Sequence, residues 1–448
     1  MRLAGRLGLP AAAGLALLGL GAVALAGDPT LLPKGSLLGE DQVLVPREIL
    51  HDEADGGRQS DLVALGNLAF ASPSIFGPVA RRAGISCETC HNNGDINRVF
   101  FIPGLSDRPG GLAVVNDLFN PMTTDGLHRH IDIPSLRGVR YLAPYGRDGR
   151  IASLREFTRN VIVNEFAGPE PAPRLVDAIV AYMEQIDFLP NAKIDAGGQL
   201  TAAAGDAAKR GETLFTREFA GMGGQSCASC HVPSALFADR RLHDVGTGIY
   251  RTPTLLNADF SAPYFHDGRF PDFAAVVAYF DRQYSLGLSP AEQGDLVAYL
   301  KAVGDGEQPF EKATPDADLD ELLVFSRPLD RAIETGDRDT LSLVIGGISH
   351  EMREVQERFP GSKDPLGSDE QLLLKPARGA CASLVIQLRR VETAFEEGDQ
   401  EAARQALAAF RQGVAAARPL LAAAAPVSLY DPDRLARHRE LVVHVSTQ

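Results

Sequence analysis

Apolar residues recur at helical spacing along much of the chain, separated by gaps of Gly, Pro and Asp. The pattern predicts helices in "PRLVDAIVAYMEQI" (173–186) and "PAEQGDLVAYLKAV" (290–303), the second opened by Ser289-Pro290 ahead of Glu292. Four further periodic stretches follow: "DLDELLVFSRPLDRAIE", "DTLSLVIGGISHEMREVQERF", "ACASLVIQLRRVETAFEEG" and "DQEAARQALAAFRQGVAAARPLLAAA". Their short connections predict an antiparallel bundle of four or five helices over about residues 310–448. The apolar run Leu7–Val23 differs, because Arg2 and Arg6 precede it and Ala24-Leu25-Ala26 follows. That is the pattern of an export signal over residues 1–26, removed before Gly27, and no other segment is long and apolar enough to span a membrane.

An internal repeat organises the middle of the chain. "PSLRGVRYLAPYGRDGR" (134–150) aligns without gaps with "PTLLNADFSAPYFHDGR" (253–269), eight of seventeen positions being identical. Upstream, "GNLAF" at 66–70 echoes "GETLF" at 211–215, and "VAY" recurs at 180–182 and 297–299. Each unit reads as helix, short motif, long Gly/Pro-rich loop, helix.

The short motif is "SCETCH" in the first unit and "SCASCH" in the second, which together hold four of the five cysteines. Cysteines at i and i+3 share one helical turn, so both thiols can reach the two vinyl groups on one edge of a porphyrin. The histidine directly behind them can turn its imidazole onto the iron. C-x-x-C-H is the attachment signature of c-type haem. A thioredoxin-like pair does not need the histidine, a zinc site would have to join pairs 136 residues apart, and disulfides would not explain a histidine in the same place twice. Cys87, Cys90 and His91 are therefore expected to hold one haem c, and Cys227, Cys230 and His231 a second.

Composition narrows the partners. The 448 residues are 45% hydrophobic and 23% charged, as in ordinary globular proteins, and their number suggests roughly three domains. The net charge of −14 becomes −16 once both leader arginines are lost, which argues against nucleic acid and suits a basic redox partner.

These residues resemble the bacterial di-haem cytochrome c peroxidase and MauG superfamily over about residues 60–305. The most specific elements are the two C-x-x-C-H motifs, "TPTLLN…APYFHDGR" and "RLHDVGTG" at 241–248. The resemblance implies a mainly α chain with two tandem cytochrome c-like haem domains, at 27–195 and 196–308; the helical domain at 309–448, read from its periodicity, is appended outside the resemblance. It implies a periplasmic oxidoreductase. Hydrogen peroxide would react at the first haem, and the second would relay electrons from a small cytochrome or cupredoxin. Glu165 lies close to where the family carries its acid-base glutamate. His128 and His130 are candidates for a cap on the first iron, with Met122 nearby. The second iron's distal ligand is expected fourteen residues after His266, where this chain has Phe280; Tyr279, one residue earlier, is the candidate. The resemblance also implies calcium between the domains, on oxygens from segments matching Asp132, Ser261 and Pro263. Arg147 stands where the family carries a bridging tryptophan, and the chain has no Trp at all, so Tyr145 or direct tunnelling would have to connect the haems. Two other activities stay open: MauG-like oxidation of a protein or organic substrate, and electron carriage without catalysis.

In the tail, Cys381 sits in an apolar helical run and reads as buried and inert, and His350 reads as a solvated helix residue.

Overall fold

The computed structural model describes residues 32–39, 42–54, 59–113, 118–123, 129–362, 366 and 370–445, so the expected leader and His128 lie outside the described residues. The chain is mainly helical, with 53% of residues in helices.

In the first half, β1 (Leu44–Pro46), α1 (Asp61–Ala71) and the one-turn α2 (Cys87–Cys90) lead into a hairpin of β2 (Gly111–Ala113) and β3 (His130–Asp132). Then come α3 (Leu154–Asn160) and α4 (Pro173–Met183). The second unit repeats the order with α5 (Asp206–Thr216), the one-turn α6 (Cys227–Cys230), a hairpin of β4 (Leu242–Asp244) and β5 (Ile249–Arg251), α7 (Phe273–Tyr284) and α8 (Pro290–Val303). The start of α8 is the one its sequence predicts. Glu292 N–H donates to Ser289 Oγ at 3.3 Å, and the Glu292 carboxylate accepts from Ser289 N–H at 2.9 Å, satisfying two otherwise orphaned groups.

The repeated glycines show why the two units share a signature. Gly66 lets α1 cross α4 so closely that a Cβ there would stand 1.9 Å from Ala178 O, and Gly211 lets α5 cross α8 with a Cβ 2.0 Å from Asp295 O. One helical turn later, Phe70 and Phe215 occupy equivalent places, edge-on or tilted against Tyr182 and Tyr299 at 5.2 and 4.7 Å. The echoes "GNLAF"/"GETLF" and "VAY" are therefore the two faces of one helix crossing, built twice.

Beyond β6 (Phe310–Lys312), which pairs antiparallel with β1, the tail folds as α9 (Pro315–Phe325), α10 (Pro328–Thr335), α11 (Arg338–Glu357), α12 (Gln371–Glu396), α13 (Gln400–Ala424) and α14 (Pro432–Val445). Six helices stand where the periodicity predicted four or five. Part of the difference is that "DLDELLVFSRPLDRAIE" breaks at Ser326-Arg327, with Pro328 starting α10 at a first-turn position where its missing N–H costs nothing. Leu65 and Leu68 of α1 belong to the tail's core together with Leu319, Phe325, Val344, Ile348, Leu388 and Phe410, while Ala69 and Phe70 belong to the core of the first unit. This explains why α1 is apolar on every side: it is walled in on both faces. No single described helix is long and apolar enough to cross a membrane.

Candidate functional site

Each C-x-x-C-H motif is one helical turn closed by a capping box. Ser86 N–H donates to Thr89 Oγ1 at 3.0 Å in the first and Ser226 N–H to Ser229 Oγ at 3.0 Å in the second, and in both the histidine N–H donates to the first cysteine's carbonyl at 2.9 Å. This fixes two thiols on one side of a turn with the imidazole at its end. Phe70 tilts over His91 at 6.5 Å and 46°, and Phe215 over His231 at 6.4 Å and 45°, so the two sites are copies in side-chain geometry too.

The electrostatics suit a covalently held haem. Burial pushes the Cys90 thiol up to about 12 and Cys227 up to about 11, with Cys87 and Cys230 also raised, so all four are protonated, and none is in a disulfide. A zinc site would instead need thiolates. Burial pulls His91 down to about 4 and lowers His231, leaving both imidazoles neutral. His231 Nδ1 lies 3.0 Å from Phe237 O, which can only accept; Nδ1 is therefore the protonated nitrogen and Nε2 keeps a free lone pair. A neutral, oriented imidazole beside two unbonded thiols is the donor set that haem c uses.

Glu165 ends a five-residue π-turn, Val161–Glu165, that continues α3. Its carboxyl lies in the electrostatic neighbourhood of Cys90, and burial raises its pKa against a smaller opposing pull from Arg150. The turn widens the helix just where the next residue, Phe166, stacks on Phe76 at 4.3 Å and leans on Phe119 at 5.1 Å.

The remaining candidates have the following surroundings. His130 is half-exposed, and its Nδ1 lies 2.9 Å from Asp107 Oδ2 on the seam between the two units. Met122 is 89% exposed. Tyr279 packs among Phe265, Phe270 and Phe280, and its hydroxyl donates to Val245 O at 2.6 Å. Tyr145 hydroxyl donates to Val139 O at 3.4 Å. The residues matched to calcium do not fit that ion. Asp132 already accepts from Arg108 Nη2 at 3.1 Å, its carbonyl accepts from Arg147, Ser261 Oγ donates to Ala258 O at 3.0 Å, and Pro263 follows a cis peptide bond. Two guanidinium groups thus bring to Asp132 the positive charge calcium would supply.

Three features were missed in the sequence. Tyr250 and His266 stack on the seam, with Tyr250 Oη 3.0 Å from His266 Nε2. His243 Nε2 lies 2.7 Å from Asp239 Oδ2 beside Cys230. Where α2 meets the tail, Glu48, Glu88, Glu321, Glu351 and Glu354 face one another. Tyr182 hydroxyl donates to Glu48 at 2.5 Å, and Asn93 N–H to Glu88 at 2.5 Å. Burial, reinforced by mutual repulsion, raises Glu88 to about 8 and holds Glu321 and Glu351 well above the ordinary carboxylate range. His350, expected in solvent, is 14% exposed there and lies 3.0 Å from Glu354 Oε1. The repeated motifs do not announce these features: the carboxylate cluster joins residues distant in the chain, and the Tyr250 and His243 contacts lie in the loop region outside the C-x-x-C-H turns.

The family described as di-haem cytochrome c peroxidase matches residues 206–334. The chain is 25% identical to methylamine utilization protein MauG of Methylorubrum extorquens over 319 residues, covering 58% of this chain and 82% of that protein. It is 26% identical to hydrazine synthase subunit gamma of Kuenenia stuttgartiensis over 330 residues, covering 59% and 84%. Cytochrome c551 peroxidase of Nitrosomonas europaea is 22% identical over 291 residues, covering 56% and 81%. Among solved structures, the hydrazine synthase of Kuenenia stuttgartiensis aligns with a TM-score of 0.41 at 21% identity, over 66% of this chain and all of that one.

Proposed function

This chain belongs to the bacterial di-haem cytochrome c peroxidase and MauG superfamily, and we propose that it is a periplasmic peroxidase that reduces hydrogen peroxide with electrons relayed through its second haem. In this reading residues 27–195 form the peroxidatic unit, 196–308 the electron-transfer unit and 309–448 a helical accessory domain. The observation that carries it is the duplicated site: two turns, each presenting two protonated thiols and a neutral histidine under a phenylalanine.

Cys87, Cys90 and His91 would hold one haem and Cys227, Cys230 and His231 the other; when bound, haem supplies the iron at which the oxygen–oxygen bond is cleaved. The protein's part is proton handling and exclusion of water. Glu165, raised by burial toward the working pH, takes the proton from the inner peroxide oxygen and returns it to the departing outer one. Phe166, the residue after Glu165, packs against Phe76 and Phe119 in an apolar aromatic cluster. The acidic chain suits a basic cytochrome or cupredoxin as donor.

The test is the peroxide response of the purified holoprotein, compared with Glu165→Gln. That variant keeps the volume and removes the acid-base group, and its peroxide reaction is expected to slow about 100- to 10,000-fold. An unchanged rate would remove Glu165 from the mechanism, and two low-spin haems indifferent to peroxide would identify an electron carrier. The MauG-like reading is favoured by one observation: the expected distal position is Phe280 and its neighbour is the packed phenol Tyr279, with no methionine there.

A further inference from the structure

A cavity opens on the seam between the two units, lined by Arg129, His130, Arg147 and Arg150 from the first and by Tyr250 and His266 from the second. Two of these side chains form a pair. The phenol of Tyr250 and the imidazole of His266 stack with centroids 4.0 Å apart and planes 19° from parallel, and Tyr250 Oη lies 3.0 Å from His266 Nε2. Gly248 makes room for the phenol, since a Cβ there would fall 2.7 Å from Tyr250 Oη. Both members are tied to the first unit through the backbone: Arg251 N–H, next to Tyr250, donates to Arg147 O at 2.9 Å, and His266 O accepts from Asp132 N–H at 3.0 Å.

From this geometry we propose that Tyr250 is the redox relay between the two haem units and that His266 Nε2 is its proton acceptor. The proposal rests on the peroxidase reading. Arg147 stands at the bridging position, and a guanidinium cannot be oxidised. A phenol can, provided its proton has somewhere to go, and 3.0 Å is within the reach of a positioned base. His266 meets that need: burial, the largest influence on it, keeps its imidazole neutral, and Nδ1 is buried without a hydrogen-bond partner. A proton on Nδ1 leaves Nε2 free to accept from Tyr250. Thr247 O, 3.3 Å from the hydroxyl, can accept a hydrogen bond but not a proton at neutral pH.

Tyr250 would give one electron toward the first site, where haem oxidised by hydrogen peroxide would be the oxidant; its phenolic O–H bond breaks and an N–H bond forms at His266 Nε2, leaving a neutral tyrosyl radical and an imidazolium. An electron from the second site, where haem reduced by the donor protein would be the reductant, would restore Tyr250 as the proton returns from His266 Nε2. No atom leaves the pair.

The test compares wild-type holoprotein with Tyr250→Phe, His266→Gln and Tyr145→Phe. Each is mixed with peroxide, and three quantities are read: the Soret change at the first haem, the freeze-quench radical signal in protein carrying ring-deuterated tyrosine, and the rate of oxidation of the second haem. The Soret change is expected in all four. Tyr250→Phe should lose the deuterium-sensitive radical and slow second-haem oxidation about 100-fold, and His266→Gln should slow it similarly and abolish its solvent deuterium effect. Tyr145→Phe should match wild type. A normal Soret change with second-haem oxidation unaltered in Tyr250→Phe overturns the relay and leaves the peroxidase standing. No Soret change in the wild type removes the peroxidase reading, and the relay with it.

Discussion

Placing a methyl group on the repeated glycines tests the helix crossing on which both sites are built. In Gly66→Ala the new Cβ would lie 1.9 Å from Ala178 O and 2.9 Å from the Tyr182 Cβ; in Gly211→Ala it would lie 2.0 Å from Asp295 O and 2.7 Å from the Tyr299 Cβ. The close neighbour in both is backbone, which has no rotamer to turn aside. Relief requires the helices to part by roughly 1.5 Å before ordinary contact is restored, and such overpacking costs about 1–3 kcal/mol or somewhat more. The movement carries Phe70 or Phe215 with it, and with them the ring tilted over His91 or His231. Gly294 is the control: it lies within α8 and a Cβ there meets nothing within 4 Å, so Gly294→Ala should stabilise by about 0.5–1 kcal/mol through helix propensity alone. The assay is urea unfolding of the holoprotein followed by far-ultraviolet circular dichroism and Soret absorbance. Midpoints for Gly66→Ala and Gly211→Ala within about 0.5 kcal/mol of wild type would refute the argument, because uncorrelated surface substitutions stay within that range.

Two further outcomes follow from the charged groups. Glu88 is raised from 4.5 to about 8, and Glu321 and Glu351 are raised as well, so the folded state binds more protons than the unfolded one between those values. Stability is therefore complete below pH 4.5 as far as these groups are concerned and falls as pH rises through 8, by on the order of 5 kcal/mol for Glu88. Thermal midpoints recorded from pH 5 to pH 9 should decline, and Glu321→Gln with Glu351→Gln should flatten the slope and raise the midpoint at the alkaline end; an unaltered slope would show that these carboxylates face water. A calcium chelator should leave the thermal midpoint and the haem spectra unchanged, because Arg108 and Arg147 already neutralise Asp132; a drop of several degrees that added calcium reverses would refute this.

What could be read in advance was whatever the chain repeats locally. The C-x-x-C-H turns, the capped start at Ser289 and the Gly-to-Phe spacing each lie within a few residues, where helix geometry alone decides which side chains meet. The matches "GNLAF" and "GETLF" were visible as strings, but their meaning needed Ala178 and Asp295, more than eighty residues away. The Tyr250–His266 stack was hidden for a similar reason: a hairpin and a cis-proline loop bring the two rings together, and neither leaves a spacing rule. His350 was misread because helix periodicity does not show which polar positions pack inward: its ring is 14% exposed and lies against Glu354, one turn along the same helix. The tail's dependence on Leu65 and Leu68 was likewise invisible, since α1 reads as an ordinary apolar helix of the first unit.

The pairing of β1 with β6 has a consequence for how this molecule is made. Residues 44–46 cannot find their partner until residue 312 has been synthesised, and the same early segment is held against the first motif's loop by Asn93 Nδ2 donating to Pro46 O at 2.7 Å and Asn97 Nδ2 to Leu38 O at 2.6 Å. While translation proceeds from one partner strand to the other, this belt is unbuckled and Cys87 and Cys90 remain within reach of a maturation enzyme. Once the belt is fastened, Cys87 and Cys90 are only partly exposed, so thioether formation at the first motif would be easiest before it closes.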